Sequence, residues 1–291
     1  MIKKITVIGT DSTHCVAFTR LLNNNPACSW KISYAIRDNR SKLALSQGRF
    51  QEIESQLKDL NVELCEDLSS ELVSSTDAFI IASVDASLHL DQFKQLVQYD
   101  KPIFIDKPIT YSSREMAEIF TLSDQYGIAV MTSSSLRFSA AILTAKAQLV
   151  KLAKPVTKII LTGPMPIERG IPGMFWYGIH LIEMLLTLLP GHYEVKSVKE
   201  KGETLQIMCQ SQQLTVEFNG DLTGAGSFSG KLETATEVID FKQEADSQPL
   251  YSYLVEEMLD FFNTGKSKVS QEQTSQVISL VERINDKGGW R

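Results

Sequence analysis

Hydrophobic positions in roughly the first 130 residues cluster into short apolar runs separated by longer amphipathic stretches. The runs Ile5–Ile8, Ile32–Ile36, Val62–Leu64, Ala78–Ala82, Ile103–Ile105 and Ile128–Met131 read as strands. Between them Ser12–Leu22, Ser41–Gln47, Ser87–Val97 and Ser113–Tyr126 carry apolar residues at helical spacing. Ser112 or Ser113 ahead of Glu115 has the form of a helix N-cap with an acidic first turn, and Gly127 the form of its stop. Strands alternating with helices predict a parallel sheet with right-handed crossovers, and six of them point to a Rossmann dinucleotide-binding domain.

The texture changes after about Ser135. A helix is expected over Ala140–Leu152, ending before Pro155, and a strand over Val156–Thr162. A Gly/Pro-rich loop, Gly163 to Gly173, then opens into an apolar helix that carries His180. β-like runs follow at Val195–Glu200, Thr204–Cys209, Gln213–Phe218, Gly224–Gly230 and Thr236–Phe241, with turns expected at Gly202, Asn219-Gly220 and Gly230. Two helices, Tyr251–Asn263 and Ser270–Asp286, close the sequence. The expected architecture is an α/β Rossmann domain over residues 1–133 and an α+β domain over 134–291, the latter built on a mostly antiparallel open-faced sheet.

Bulk properties narrow the possible partners. With 43% apolar and 22% charged residues, the chain has the composition of an ordinary globular protein. A net charge of −6 and no cluster of Lys and Arg argue against nucleic acid and against an anionic membrane surface. Met1-Ile2-Lys3-Lys4 imitates the basic end of a signal peptide, but the apolar stretch after it stops at Gly9 and reads as a strand. The apolar stretch Phe175–Leu189 is too short to span a bilayer comfortably. Four scattered cysteines suit reduced thiols, and a cytoplasmic location is expected. Histidines and carboxylates are not grouped with metal-ligand spacing, so no metal is expected.

The first turn is a candidate phosphate site. A strand ending at Gly9 and followed by a helix presents backbone N–H groups to a pyrophosphate. The stretch Gly9-Thr10-Asp11-Ser12-Thr13-His14 keeps only the first glycine of the G-x-G-x-x-G fingerprint. Asp11 would sit awkwardly against a phosphate, whereas Ser12 or Thr13 could cap the helix or donate to an oxygen. After the second strand, Arg37 and Asp38 leave both cofactors open: an acid suits the ribose hydroxyls of NAD and an arginine suits the 2′-phosphate of NADP. The arginine comes first, which leans towards NADP.

Two further islands handle protons. Asp106-Lys107-Pro108 ends the fifth strand, and His180 lies within Trp176-Tyr177-Gly178-Ile179-His180-Leu181-Ile182-Glu183. Together with Ser83-Val84-Asp85, His89 and Leu136-Arg137-Phe138, they resemble the glucose–fructose oxidoreductase / inositol dehydrogenase (Gfo/Idh/MocA) family. That family shows strand–Thr-Pro-Asn-x-x-His and then a strand ending in Glu-Lys-Pro. The resemblance implies an NAD(P)-dependent oxidoreductase acting on a sugar, cyclitol or related polyol or ketone. It also implies a homodimer or homotetramer formed through the C-terminal sheet.

The resemblance assigns roles to residues of this sequence. His180 is the proton-transfer group and Lys107 the cation that steadies a developing alkoxide. Thr10, Ser12, Thr13, His14, Ser83, Asp85, His89 and Asp106 join Gly9, Arg37, Asp38 and Lys107 around the cofactor. Trp176, Tyr177, Glu183 and Arg137 are candidate substrate contacts. The pattern departs from the family at Trp176, which stands where an aspartate is usual one helical turn before the histidine. Glu183, three residues after it, shares the histidine's face and is read either as the carboxylate that orients the imidazole or as a structural partner, and Arg137 either as a contact near the nicotinamide or substrate or as half of a buried ion pair. Loss of that aspartate and of two loop glycines supports an alternative, a catalytically weak relative that binds nucleotide or sugar as a sensor or regulator.

Overall fold

The computed structural model describes residues 1–243 and 249–290. The chain divides into two compact units: residues 1–133 with 251–270, and residues 134–250 with 271–291.

The first unit is built on a six-stranded parallel sheet. Its strands are β1 (Lys3–Ile8), β2 (Trp30–Ile36), β3 (Glu63–Cys65), β4 (Ala78–Ile81), β5 (Ile103–Ile105) and β6 (Val130–Met131), in spatial order β3-β2-β1-β4-β5-β6. This is the doubly wound Rossmann order, which reverses direction between β1 and β4. The centre of the sheet is dry: Ile5, Val7, Phe79, Ile80, Ile103 and Phe104 are fully buried. Helices α1 (Thr13–Asn23), α5 (His89–Leu96) and α6 (Ser113–Tyr126) supply crossovers. Helix α6 starts and stops as its sequence dictates: the Ser112 hydroxyl accepts from the Arg114 N–H, and Gly127 closes it at φ +68°.

Between β2 and β3 the short helix α2 (Ala44–Gln47) is followed by α3 (Phe50–Asp59), which the sequence analysis missed. Phe50, Ile53 and Leu57 bury one face of α3 at i, i+3 and i+7 spacing. A further turn, α4 (Ser70–Ser74), precedes β4 and was also missed.

Helix α9 (Leu250–Thr264) corrects the expected division of the chain. From Tyr251 to Ser270 the chain packs with the first unit, although the sequence placed it in the second. The cause is aromatic surface that β2 and α1 leave uncovered. The Phe262 ring lies 5.3 Å from that of Trp30, whose indole N–H donates to Asn263 at 3.2 Å, and Tyr251 meets Phe18 edge-on.

The second unit holds a mixed sheet of β7 (Val156–Pro164), β8 (Glu194–Lys201), β9 (Thr204–Ser211), β10 (Leu214–Asp221), β11 (Ser229–Thr234) and β12 (Val238–Lys242). Its order is β12-β11-β7-β10-β9-β8, antiparallel except for the β7–β10 pair. Leu205, Ile207, Val216, Phe218, Ile159, Leu161 and Leu232 form its buried face. Helices α7 (Ala140–Leu152), α8 (Ile179–Leu188) and α10 (Gln271–Gly288) belong to the same unit. Asn219-Gly220, expected as a turn, lies inside β10, and Gly230 lies inside β11. Gly220 is glycine because Met165 packs where its Cβ would be. Among the described residues no helix is long and apolar enough to cross a membrane.

Candidate functional site

The switch point of the first unit lies where β1 and β4 end. Gly9 turns there at φ +95°, and a Cβ on it would overlap the backbone and hydroxyl of Ser83, the second residue after β4. Only glycine fits this closure of two strand ends. Its N–H donates to the Ile36 carbonyl at 2.9 Å, tying the turn to β2. Ser12 then caps α1 by accepting from the His14 N–H at 3.1 Å, while Thr13 is exposed beside it. Thr10 is fully buried and donates to Glu54 at 2.8 Å.

Most of the charged residues expected near a cofactor are engaged within the fold. Arg37 forms a fork on Glu54, with its Nε at 2.6 Å, and lies over the Phe50 ring. Burial pushes the Asp38 carboxyl up, but hydrogen bonds from Arg40 and Gln92 outweigh it and hold the group below the ordinary carboxylate range. Asp85 caps the turn before α5 and accepts from the Ser41 hydroxyl at 2.8 Å. Ser83 accepts from Gln92 at 2.7 Å. His89 is buried, with Nδ1 at the carbonyls of Pro108 and Ile109 and Nε2 at that of Ser83, so it fastens the end of β4 to the segment after β5.

Asp106 and His14 form one pair. His14 Nδ1 lies 2.6 Å from Asp106 Oδ2, and the other carboxylate oxygen accepts the Lys107 N–H at 2.9 Å. Burial pushes Asp106 up, yet His14 and Lys107 outweigh it and leave the carboxyl below its ordinary range. The His14 ring rests on Phe18 and Tyr251. Lys107 follows as a half-buried side chain, and its bond to Pro108 is cis.

In the second unit His180 sits in the first turn of α8, half-buried, with Tyr177 and Phe228 edge-on at 5.7 and 5.6 Å. Trp176 is edge-on to Tyr177. Of the two roles open to Glu183 the structure shows the structural one: Arg137 clasps it, donating from Nε at 2.7 Å and also from Nη2, with both side chains buried. The group at the imidazole is Ser134, whose hydroxyl is 2.7 Å from Nδ1 and also accepts the Leu136 N–H. Ser134 was missed because it lies in the run Ser133-Ser134-Ser135, where nothing in the sequence distinguishes the three. Among the described residues no group of three or more His, Cys, Asp or Glu is placed to hold a metal ion.

Residues 4–134 match the Gfo/Idh/MocA model, described as an oxidoreductase family with an NAD-binding Rossmann fold. This stretch, a little under half of the chain, is similar to that family. YhhX, an uncharacterized oxidoreductase of Escherichia coli K12, is 23% identical over 155 residues, an alignment spanning 49% of this chain and 45% of YhhX. The fold is similar to that of myo-inositol dehydrogenase from Lactobacillus casei, solved with NAD(H) and myo-inositol. That match has a TM-score of 0.77 at 13% identity and covers 99% of this chain and 95% of the other. It is also similar to KijD10, a 3-ketoreductase from Actinomadura kijaniata solved with NADP and TDP-benzene, with a TM-score of 0.76 at 12% identity over 99% and 98% of the two chains. At these identities the likeness is one of fold.

A dinucleotide fits the switch point in three respects. The family glycine is present at a position that admits no side chain, the start of α1 is capped without an acidic residue in its first turn, and Asp38 stands just past β2. Asp11, at the second glycine position, is the exception.

Proposed function

We propose that the chain is an NAD(P)-dependent oxidoreductase interconverting a secondary hydroxyl and a ketone on a sugar, cyclitol or related polyol. The observation that carries this reading is the Gly9–Ser83 closure at the β1/β4 switch point, inside the stretch that matches the family. Of two proteins of similar fold, one was solved with NAD(H) and myo-inositol, which supports the substrate class, and the other with NADP and TDP-benzene; both support a nicotinamide cofactor.

In this reading Ser12 and Thr13 at the start of α1 would hold the pyrophosphate and Asp38 would serve the adenosine ribose. Arg37 is committed to Glu54 and Asp38 to Arg40 and Gln92, so neither decides between NAD and NADP, and both are carried as cofactor candidates. The nicotinamide, when bound, accepts or supplies the hydride. His180 takes the hydroxyl proton during oxidation and returns it during reduction. The Lys107 ammonium steadies negative charge on the substrate oxygen. Trp176 and Tyr177 offer aromatic surface to a sugar ring. Assembly as a homodimer or homotetramer through the second unit's sheet belongs to the same reading.

Calorimetric titration with NADH and NADPH, followed by a polyol screen with the cofactor that binds, tests it. Lys107→Ala and His180→Ala are each expected to lower kcat/KM about 10²–10⁴-fold with an unchanged circular dichroism spectrum. Wild-type turnover in both variants would remove the two residues from the chemistry. A second reading, a nucleotide- or sugar-binding sensor without turnover, is favoured by Asp11 and predicts cofactor binding with no activity in the screen.

A further inference from the structure

Asp11 occupies the position at which the fingerprint calls for a second glycine, so that the backbone can approach a pyrophosphate. Asp11 is 1% exposed. One oxygen accepts the Val84 N–H at 3.2 Å. The other is buried without a well-formed hydrogen bond, and the buried Ser46 hydroxyl lies close enough to the carboxyl to pull on it weakly. Burial is the largest influence on this carboxyl and moves it above the ordinary range, against smaller opposing pulls from Ser46, the Val84 N–H and His89.

A pyrophosphate brings negative charge to this turn, and like charges in a dry site repel strongly. The carboxyl has little room to withdraw. Thr10 before it is fully buried on Glu54, and Ser12 after it caps α1. Neutralisation solves both problems at once: a protonated second oxygen donates to Ser46 or to a phosphate oxygen. We propose that a dinucleotide occupies this loop only with a proton on the Asp11 carboxyl, so that binding takes up one proton.

The neighbouring titratable groups do not substitute for it. Cys15 on α1, pushed up to about 12 by burial, stays a thiol, and Tyr111, likewise raised by burial, stays a phenol. His89 on α5 has both ring nitrogens at backbone carbonyls. Asp85 is held by Ser41 and Ser87, and Asp106 by His14 and the Lys107 N–H. His14, at the third glycine position, is the one competing proton acceptor at the start of α1.

The proposal rests on the dinucleotide-binding reading, and calorimetry separates the two. Wild-type protein is titrated with NADH and with NADPH between pH 6 and pH 8.5, in two buffers of different ionisation enthalpy. Expected is an uptake approaching one proton, with affinity falling by up to tenfold per pH unit as pH rises. In Asp11→Asn the uptake disappears, affinity becomes flat with pH, and it exceeds that of the wild type at least tenfold at pH 8. Asp11→Gly, which restores the fingerprint residue, behaves the same way and guards against a local effect of the amide. Binding with buffer-independent heats and a flat pH profile in the wild type overturns the proposal while leaving the cofactor reading in place. Uptake that persists in Asp11→Asn and vanishes in His14→Gln also overturns it and assigns the proton to the histidine. Failure of the wild type and both Asp11 variants to bind either nucleotide overturns the reading and the proposal together.

Discussion

The strand ends of the first unit and the histidine helix of the second handle polar groups differently. At the strand ends Arg37, Asp38, Asp85, His89 and Asp106 all have partners within the unit, so residue types expected to greet a cofactor also hold the loops in place. Along α8 the work is divided. Arg137 and Glu183 are buried against each other, whereas His180 is only half-buried and meets a neutral hydroxyl. The contrast teaches that charge alone does not mark a reactive residue. Exposure and the chemistry of the partner do.

The buried pair offers the strongest way to break that contrast. Arg137→Met and Glu183→Gln are each expected to lower unfolding stability by about 3–5 kcal/mol, because each strands the other charge. The double variant Arg137→Met/Glu183→Leu recovers most of the loss. Urea unfolding of the three proteins checks this, and single variants as stable as the wild type would return both residues to the list of substrate contacts.

Asp106 gives a smaller effect with a defined pH signature. Its folded carboxyl titrates below the ordinary range, so its contribution is fully present above about pH 4 and is lost as pH falls through the lower, folded value. Asp106→Asn should therefore lose about 1.5–3 kcal/mol at pH 7. It should also show a shallower decline in melting temperature below pH 4 than the wild type. Parallel acid profiles would mean that His14 contributes nothing through its charge.

The smallest expected effect sharpens the histidine side. Ser134→Ala removes one hydrogen bond to His180, worth about 1 kcal/mol, and should lower kcat/KM roughly fivefold with the fold retained. The pH–rate profile should shift with it, and Ser134→Thr should restore the profile. A profile unmoved by Ser134→Ala would make the hydroxyl a cap for Leu136 alone.

What was legible in the sequence followed from periodicity and local chemistry. The central strands of the parallel sheet are continuous Val/Ile/Phe runs, and α6 carries both its cap and its stop. Lys107-Pro108 and the histidine helix stood out because charged and ionisable groups interrupt apolar stretches. Partnerships were not legible. Whether Glu183 turns to His180 or to Arg137 depends on where the turn after β6 lies against α8, a contact 46 residues away in sequence. Asn219-Gly220 misled for a related reason: turn chemistry is local, but Gly220 answers to Met165 on a neighbouring segment.

The return of residues 251–270 to the first unit has a consequence for the order in which the molecule can be made. A chain paused at residue 133 has all six parallel strands, yet Phe18 and His14 lack the Tyr251 ring, and Trp30 and Lys3 lack Asn263. Most of the first unit is thus synthesised ahead of the second, yet it is completed only after most of the second has been made. Until α9 leaves the ribosome, the nascent first unit carries an aromatic seam open to chaperones and to other chains.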